Sequence, residues 1–396
     1  MIDKSKFTIN ELRNYRRQII RQAASFEKPD RIPHMSFYIS WPVLDAGYKF
    51  SQALYDWDLM EKVMVEHEQK YDFDAVQCLG TRNPMKITEA LGVQKYIIDD
   101  ENDFMNIQDE VYIEHDELYD LAENPIKAYW EKIMPHKYPL FKPGIGKEPF
   151  VKAYNEQKAF MDYTVRINER FVNELGVPAH SSPMCGYLST GAEQVFGMRG
   201  IKGFSISLRR DINAVKAACD AIDTSGFEYT MNTLRNSPEG PDPKTSLDAL
   251  VNTLVNTVVS NKQFEKLVWN DRIKPYLDLM VEKGKQMRIY MHGPLDRFYD
   301  YYQDYPKGSL VFMSESNDVF EVKKNLPNAA ICGGLTTLMM GHAGTQECIA
   351  RTKLLIDELG SQGGLILCIN TMGMYRQDTK ADNLKAVSEF IQTYQA

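Results

Sequence analysis

The sequence predicts an α/β fold, a (β/α)8 barrel of the TIM-barrel kind, and three observations carry that expectation. The last third of the chain holds four short apolar runs, at 287–291 (inside QMRIYMHG), 309–314 (SLVFMS), 329–332 (AAIC) and 364–369 (GLILCI), with helix-like sequence between them. Parallel strands buried on both faces read as such continuous apolar runs. Each run ends in polar or small residues: His292; Glu315, Ser316 and Asn317; Gly333 and Gly334; Asn370 and Thr371. In a barrel these carboxyl ends build the active site. Four earlier runs, at 34–39, 74–79, 177–184 and 227–232, bring the β/α units to eight, which favours a closed barrel over an open sheet. No GxGxxG follows the first strand, which counts against a dinucleotide-binding fold.

Taken in order, residues 9–24 read as an amphipathic helix rich in arginine (Arg13, Arg16, Arg17, Arg21), with Asn10 as its N-cap, forming an arm or lid beside the barrel. Pro29 and Pro33 stop that helix before the strand at 34–39. Residues 51–70 have helical period, and the strand at 74–79 leads into GTRNPMKITEALG, a loop that carries Arg82. Residues 92–150 hold an acidic run (Asp99, Asp100, Glu101, Asp103), many aromatics and several prolines. They read as an insertion within a single-domain chain, either covering one side of the mouth or elaborating the surface. Helices are expected at 160–175, 192–207 and 211–224, then a strand at 227–232 and the loop TLRNSPEGPDPKT. Helices at 246–260, 263–283, 295–305, 319–325, 346–359 and 381–393 complete the pattern.

Net charge is -8 with a pI near 5.5. Phosphate binding needs concentrated Lys and Arg, so nucleic acid and anionic membranes are not expected partners. The six cysteines are scattered with no CxxC pair, as buried free thiols are. The segment MIDKSKFTINELRNYRRQ lacks the apolar stretch of a signal peptide, and no run approaches the roughly 18 apolar residues of a membrane span. A cytoplasmic location is expected. A homodimer is left open.

The candidate site residues follow from position. His292, at a strand end, suits a metal ligand or a general acid–base; the plainer alternative is a hydrogen-bonded structural histidine. Glu315, one strand on, can join it as a ligand or an acid–base partner, or be a solvated loop carboxylate. Asp318 caps the helix at 319–325. Cys332 and Cys368 lie inside apolar strands, as ligands or as buried thiols. Arg82 and Arg235 follow strands and can clamp a carboxylate or phosphate. Tyr229 and Tyr290 alternate along strands and can donate to a leaving oxygen, or pack in the core; His180 is similar. Asn232 and Asn370 are polar contacts at strand ends.

The stretches MHGPLDRFYDYY, SESNDVFEVKKNLPNAAICGGLTTLMMGHAGTQ and GGLILCINTMGMYRQDTKADNLKAV, with EKPDRIP upstream, resemble the uroporphyrinogen decarboxylase superfamily. Its decarboxylases grip a porphyrinogen with an Arg-rich loop after the first strand. The matching stretch here, SFYISWPVLDAGYKF, has no Arg, and their histidine after the last strand falls near Thr371. The resemblance therefore implies the cobamide-dependent methyltransferase branch. That branch moves a methyl group between a small methylated substrate and the cobalt of a corrinoid carried by a partner protein, and many of its members hold Zn²⁺. The His-x-Cys of its thiol-methylating members keeps His292 but has Pro294 in place of the cysteine, and the final cysteine falls near Thr371. The implied assignment is an O-demethylase-type enzyme acting on a methyl ether. Catalysis falls to His292, Glu315 and Tyr290, substrate contacts to Arg82, Tyr229, Asn232, Arg235 and Asn370, and zinc to His292, Glu315 and Cys368. The alternatives are a decarboxylase of a small carboxylate and a non-catalytic barrel subunit.

Overall fold

A computed structural model describes residues 6–77, 79–80, 85–182 and 185–394. Its strands are β1 (Met35–Ser36), β2 (Ala75–Val76), β3 (Tyr96–Asp99), β4 (Phe104–Ile107), β5 (Gly186–Leu188), β6 (Ala249–Thr253), β7 (Met287–Met291), β8 (Leu310–Ser314), β9 (Ala330–Leu335) and β10 (Leu365–Ile369). Strands β5 to β10 form one parallel sheet in sequence order, and β1 and β2 form a parallel pair. Parallel bridges from His34 to Leu367 and from Tyr38 to Gly373 join β1 to β10. Eight parallel strands therefore run β2-β1-β10-β9-β8-β7-β6-β5. Among the described residues no ladder links β2 to β5.

The sheet is rolled. Three strands separate β1 from β7, yet Phe37 and Tyr290 meet edge to face with centroids 5.3 Å apart, and Arg288 reaches the Met35 sulfur at 2.7 Å. Side chains of β1 and β7 thus meet across the concave face. The fold is α/β, as expected, and the four C-terminal strands lie on the predicted runs because their residues are buried on both faces.

Two expected elements are exchanged. Residues 227–232 are not a strand; they lie inside the helix Ile212–Arg235. The aromatic and β-branched residues of FEYTMN favour a strand locally. The helix, started by Asp211 accepting from the Asn213 and Ala214 amides, runs through them, with Ala214, Val215 and Ala218 buried near its start and Met231 and Leu234 buried near its end. Conversely, the expected helix at 246–260 supplies β6, whose residues sit between β5 and β7. β5 also falls later than the run at 177–184, where Ala179 makes a single bridge to Thr245. Residues 295–305 hold only the short turn of helix Tyr299–Tyr302.

The helix Ile9–Ala24 forms as expected, but Thr8 caps it, in a reciprocal pair with Glu11. It closes the amino end of the sheet, packed beside it as an arm. Arg21 bonds Asp248 at 2.7 Å and Gln286 at 3.0 Å, the residues just before β6 and β7. Arg16 bonds Asp72, and Arg31 pairs with Asp74 just before β2.

Within 92–150, β3 and β4 make an antiparallel hairpin. Phe104 stacks on Tyr375, which follows β10, so this hairpin lies at the carboxyl end. Further along, the Tyr112 amide donates to the Met198 carbonyl at 2.8 Å, and Arg199 pairs with Glu114. No described helix is long and apolar enough to cross a membrane.

Candidate functional site

Alternation along β7 sets the site. Arg288 and Tyr290 project onto the concave face, and His292 continues the same alternation just past the strand end. The His292 amide donates to the Thr253 carbonyl of β6 at 3.2 Å, and its carbonyl accepts from buried Asn256. Gly293 then turns the chain at φ 68°, in the left-handed region. That turn aims the Gly293 amide at Glu315, just past β8, which accepts at 3.0 Å on Oε2. The same oxygen lies 3.4 Å from His292 Nδ1. Tyr290 OH makes a long 3.5 Å contact to Glu315 Oε1, and its ring meets His292 edge to face at 4.6 Å. The loop is pinned from behind by Asn317, whose side chain accepts from the Leu295 amide at 2.7 Å.

The hydrogen bond from His292 holds the Glu315 carboxyl below its usual range, against burial and with help from the Gly293 amide, the His292 charge and Tyr290. Glu315 is thus an ionised orienter for the imidazole. With Nδ1 donating to it, Nε2 is left to carry or accept a proton.

A second carboxyl, Glu193, flanks His292 from the start of the helix Gly191–Arg210. Its Oε1 accepts from the Leu254 and Val255 amides, both at 2.8 Å. Burial pushes its pKa up, while those two amides and the His292 charge pull it down without prevailing. Sequence reading missed it. The signal available was the Thr190 to Glu193 spacing of a helix N-terminus: Thr190 caps the helix, but the glutamate turns to the loop after β6.

The other expected residues do not gather here. Tyr229, Asn232 and Arg235 are exposed on the helix Ile212–Arg235, and Arg235 bonds Asn232 at 2.8 Å. They stand at no strand end, because the strand assigned to them is helix. Asn370 is buried and braces β9, its side chain accepting from the Gly334 amide at 2.7 Å. Cys368 is fully buried beside Cys332. Arg82 lies outside the described residues. Of the expected zinc set, His292 and Glu315 are adjacent and Cys368 is apart. Among the described residues no three His, Cys, Asp or Glu side chains form a group that could hold a metal ion.

The fold is similar to that of a methyltransferase from Methanosarcina mazei, with a TM-score of 0.58 and 14% identity, over 98% of this chain and 99% of that one. At that identity the likeness speaks for the fold. No family model and no curated protein matches the sequence.

Proposed function

We propose that the protein is a methyltransferase that passes a methyl group from a small methyl ether to the cobalt of a corrinoid carried by a separate protein. The observation that carries this reading is the His292–Glu315 pair, at 3.4 Å on adjacent strand ends, in a chain that shares its fold end to end with a methyltransferase. We read the eight parallel strands as a (β/α)8 barrel with its seam between β2 and β5, which makes this pair part of the mouth.

The corrinoid supplies the nucleophile that accepts the methyl carbon. What this chain must supply is help at oxygen, since an alkoxide or phenoxide leaves poorly. His292, oriented by Glu315 through Nδ1, gives a proton from Nε2 to the ether oxygen as the carbon–oxygen bond breaks. Tyr290 holds the imidazole face and the second Glu315 oxygen. Glu193 sits on the opposite flank as a store for a proton. Catalytic zinc takes three protein ligands, and the two donors brought together among the described residues fall one short of that.

The test mixes the protein with a reduced corrinoid protein and a panel of methyl ethers, methyl thiols and methylamines. Methylcobalt absorbance with an ether is the expected result. Its absence with every donor contradicts the reading.

A further inference from the structure

Five arginines of the described chain are buried. Four have carboxylate partners: Arg16 with Asp72, Arg21 with Asp248, Arg31 with Asp74 and Arg199 with Glu114. Arg288, the most deeply buried of them, has none among the described residues. Its head meets the Met35 sulfur and His180 Nε2, each at 2.7 Å, and touches the Cys332 thiol; among the described residues its Nε–H is buried without an acceptor. A guanidinium cannot shed its charge, and an unpaired charge away from water costs several kcal/mol.

His180 is the second half of the feature. Burial first, and the Arg288 charge second, hold its pKa well below the usual value. The ring is therefore neutral and Nε2 accepts from Arg288. Its proton sits on Nδ1, which is also buried without a partner among the described residues. Among the described residues two N–H donors thus lack acceptors, beside a guanidinium with no carboxylate partner. His180 also lines a cavity of about 330 Å³ at the seam, walled by Val76, Gln77, Phe171, Val172 and Ala179. The walls are mostly apolar and the volume is that of a small-molecule site.

We infer that Arg288 and His180 form a binding site for a small carboxylic acid, its apolar part in the seam cavity and its carboxylate against the guanidinium. The carboxylate exchanges a neutral imidazole acceptor for a charged one with two oxygens, matching the planar fork of Arg288. His180 lines the cavity and Arg288 lies behind it, so the carboxylate reaches the guanidinium only if the imidazole turns aside. The site is separate from the His292–Glu315 pair, and its test reads binding, so it stands whether or not methyl transfer is found.

The test is calorimetric titration of the full chain with benzoate, butyrate and their amides at constant ionic strength. Saturable binding of an acid, with its amide weaker by at least about tenfold, is expected, along with its loss in Arg288→Met. Met is a long apolar replacement of the kind that buried ion sites tolerate. Equal binding of acid and amide, retention of acid binding in folded Arg288→Met, or no saturable binding of any acid overturns the proposal. If Arg288→Met does not fold, the acid-over-amide preference of the unaltered protein decides alone. Cys332 is the internal rival as counterion: burial raises its pKa, but Cys368 and Arg288 bring it below the ordinary thiol value. Ultraviolet thiolate absorbance that disappears in Cys332→Ser, with no acid bound, assigns the charge to Cys332 and overturns the proposal.

Discussion

At the scale of single residues, the pH behaviour of Glu315 and Glu193 separates their roles. Glu315 is held below its ordinary pKa by His292 and the Gly293 amide. A depressed carboxylate adds stability that is present above the unfolded value, about 4.3, and is lost as pH falls through the folded one. Glu315→Gln is therefore expected to be less stable than the parent at neutral pH, with the gap closing in acid; denaturant titrations at neutral and acid pH check this. Glu193 has the opposite sign. Its raised pKa means that the folded state holds the proton longer, so stability falls as pH rises from the unfolded value through the folded one. Glu193→Gln keeps an oxygen for the Leu254 and Val255 amides and removes the titrating charge. It is expected to raise the melting temperature at neutral pH and to leave it unchanged in acid. The His292–Glu315 pair was legible because both residues follow apolar strands adjacent in the sheet. Glu193 and Arg288 were not, since their meaning depends on where a side chain points and on which partner fails to meet it.

At the scale of elements, apolar runs outperformed local propensity. Strands β7 to β10 sit where continuous burial predicted them. FEYTMN, whose Phe, Tyr and Thr favour a strand locally, is helix, with its own Met231 and the following Leu234 buried. That one exchange displaced Tyr229, Asn232 and Arg235 from the expected site. The arginines of the first helix were visible in the sequence but their purpose was not, because Asp248 and Gln286 lie more than two hundred residues away. Removing one partner from a buried ion pair leaves the other charge stranded, at about 3–5 kcal/mol. Arg21→Ala is expected to cost that much in urea or thermal unfolding. A cost of a few tenths would mean that the helix does not close the amino end.

For the whole molecule, the parallel α/β class followed from sequence, as did the placement of His292 and Glu315 at the carboxyl ends of adjacent strands. The missing ladder between β2 and β5 among the described residues did not, since short strands such as Met35–Ser36 and Ala75–Val76 leave little periodic signal. The central claim is that this rolled sheet presents His292, oriented by Glu315, as the acid for methyl transfer. The most direct measurement is the single-turnover rate of methylcobalt formation, with a reduced corrinoid protein and a reactive methyl ether, for the parent and for His292→Ala. The account predicts a fall of about 10²–10⁴ with circular dichroism unchanged. A His292→Ala rate equal to that of the parent contradicts it.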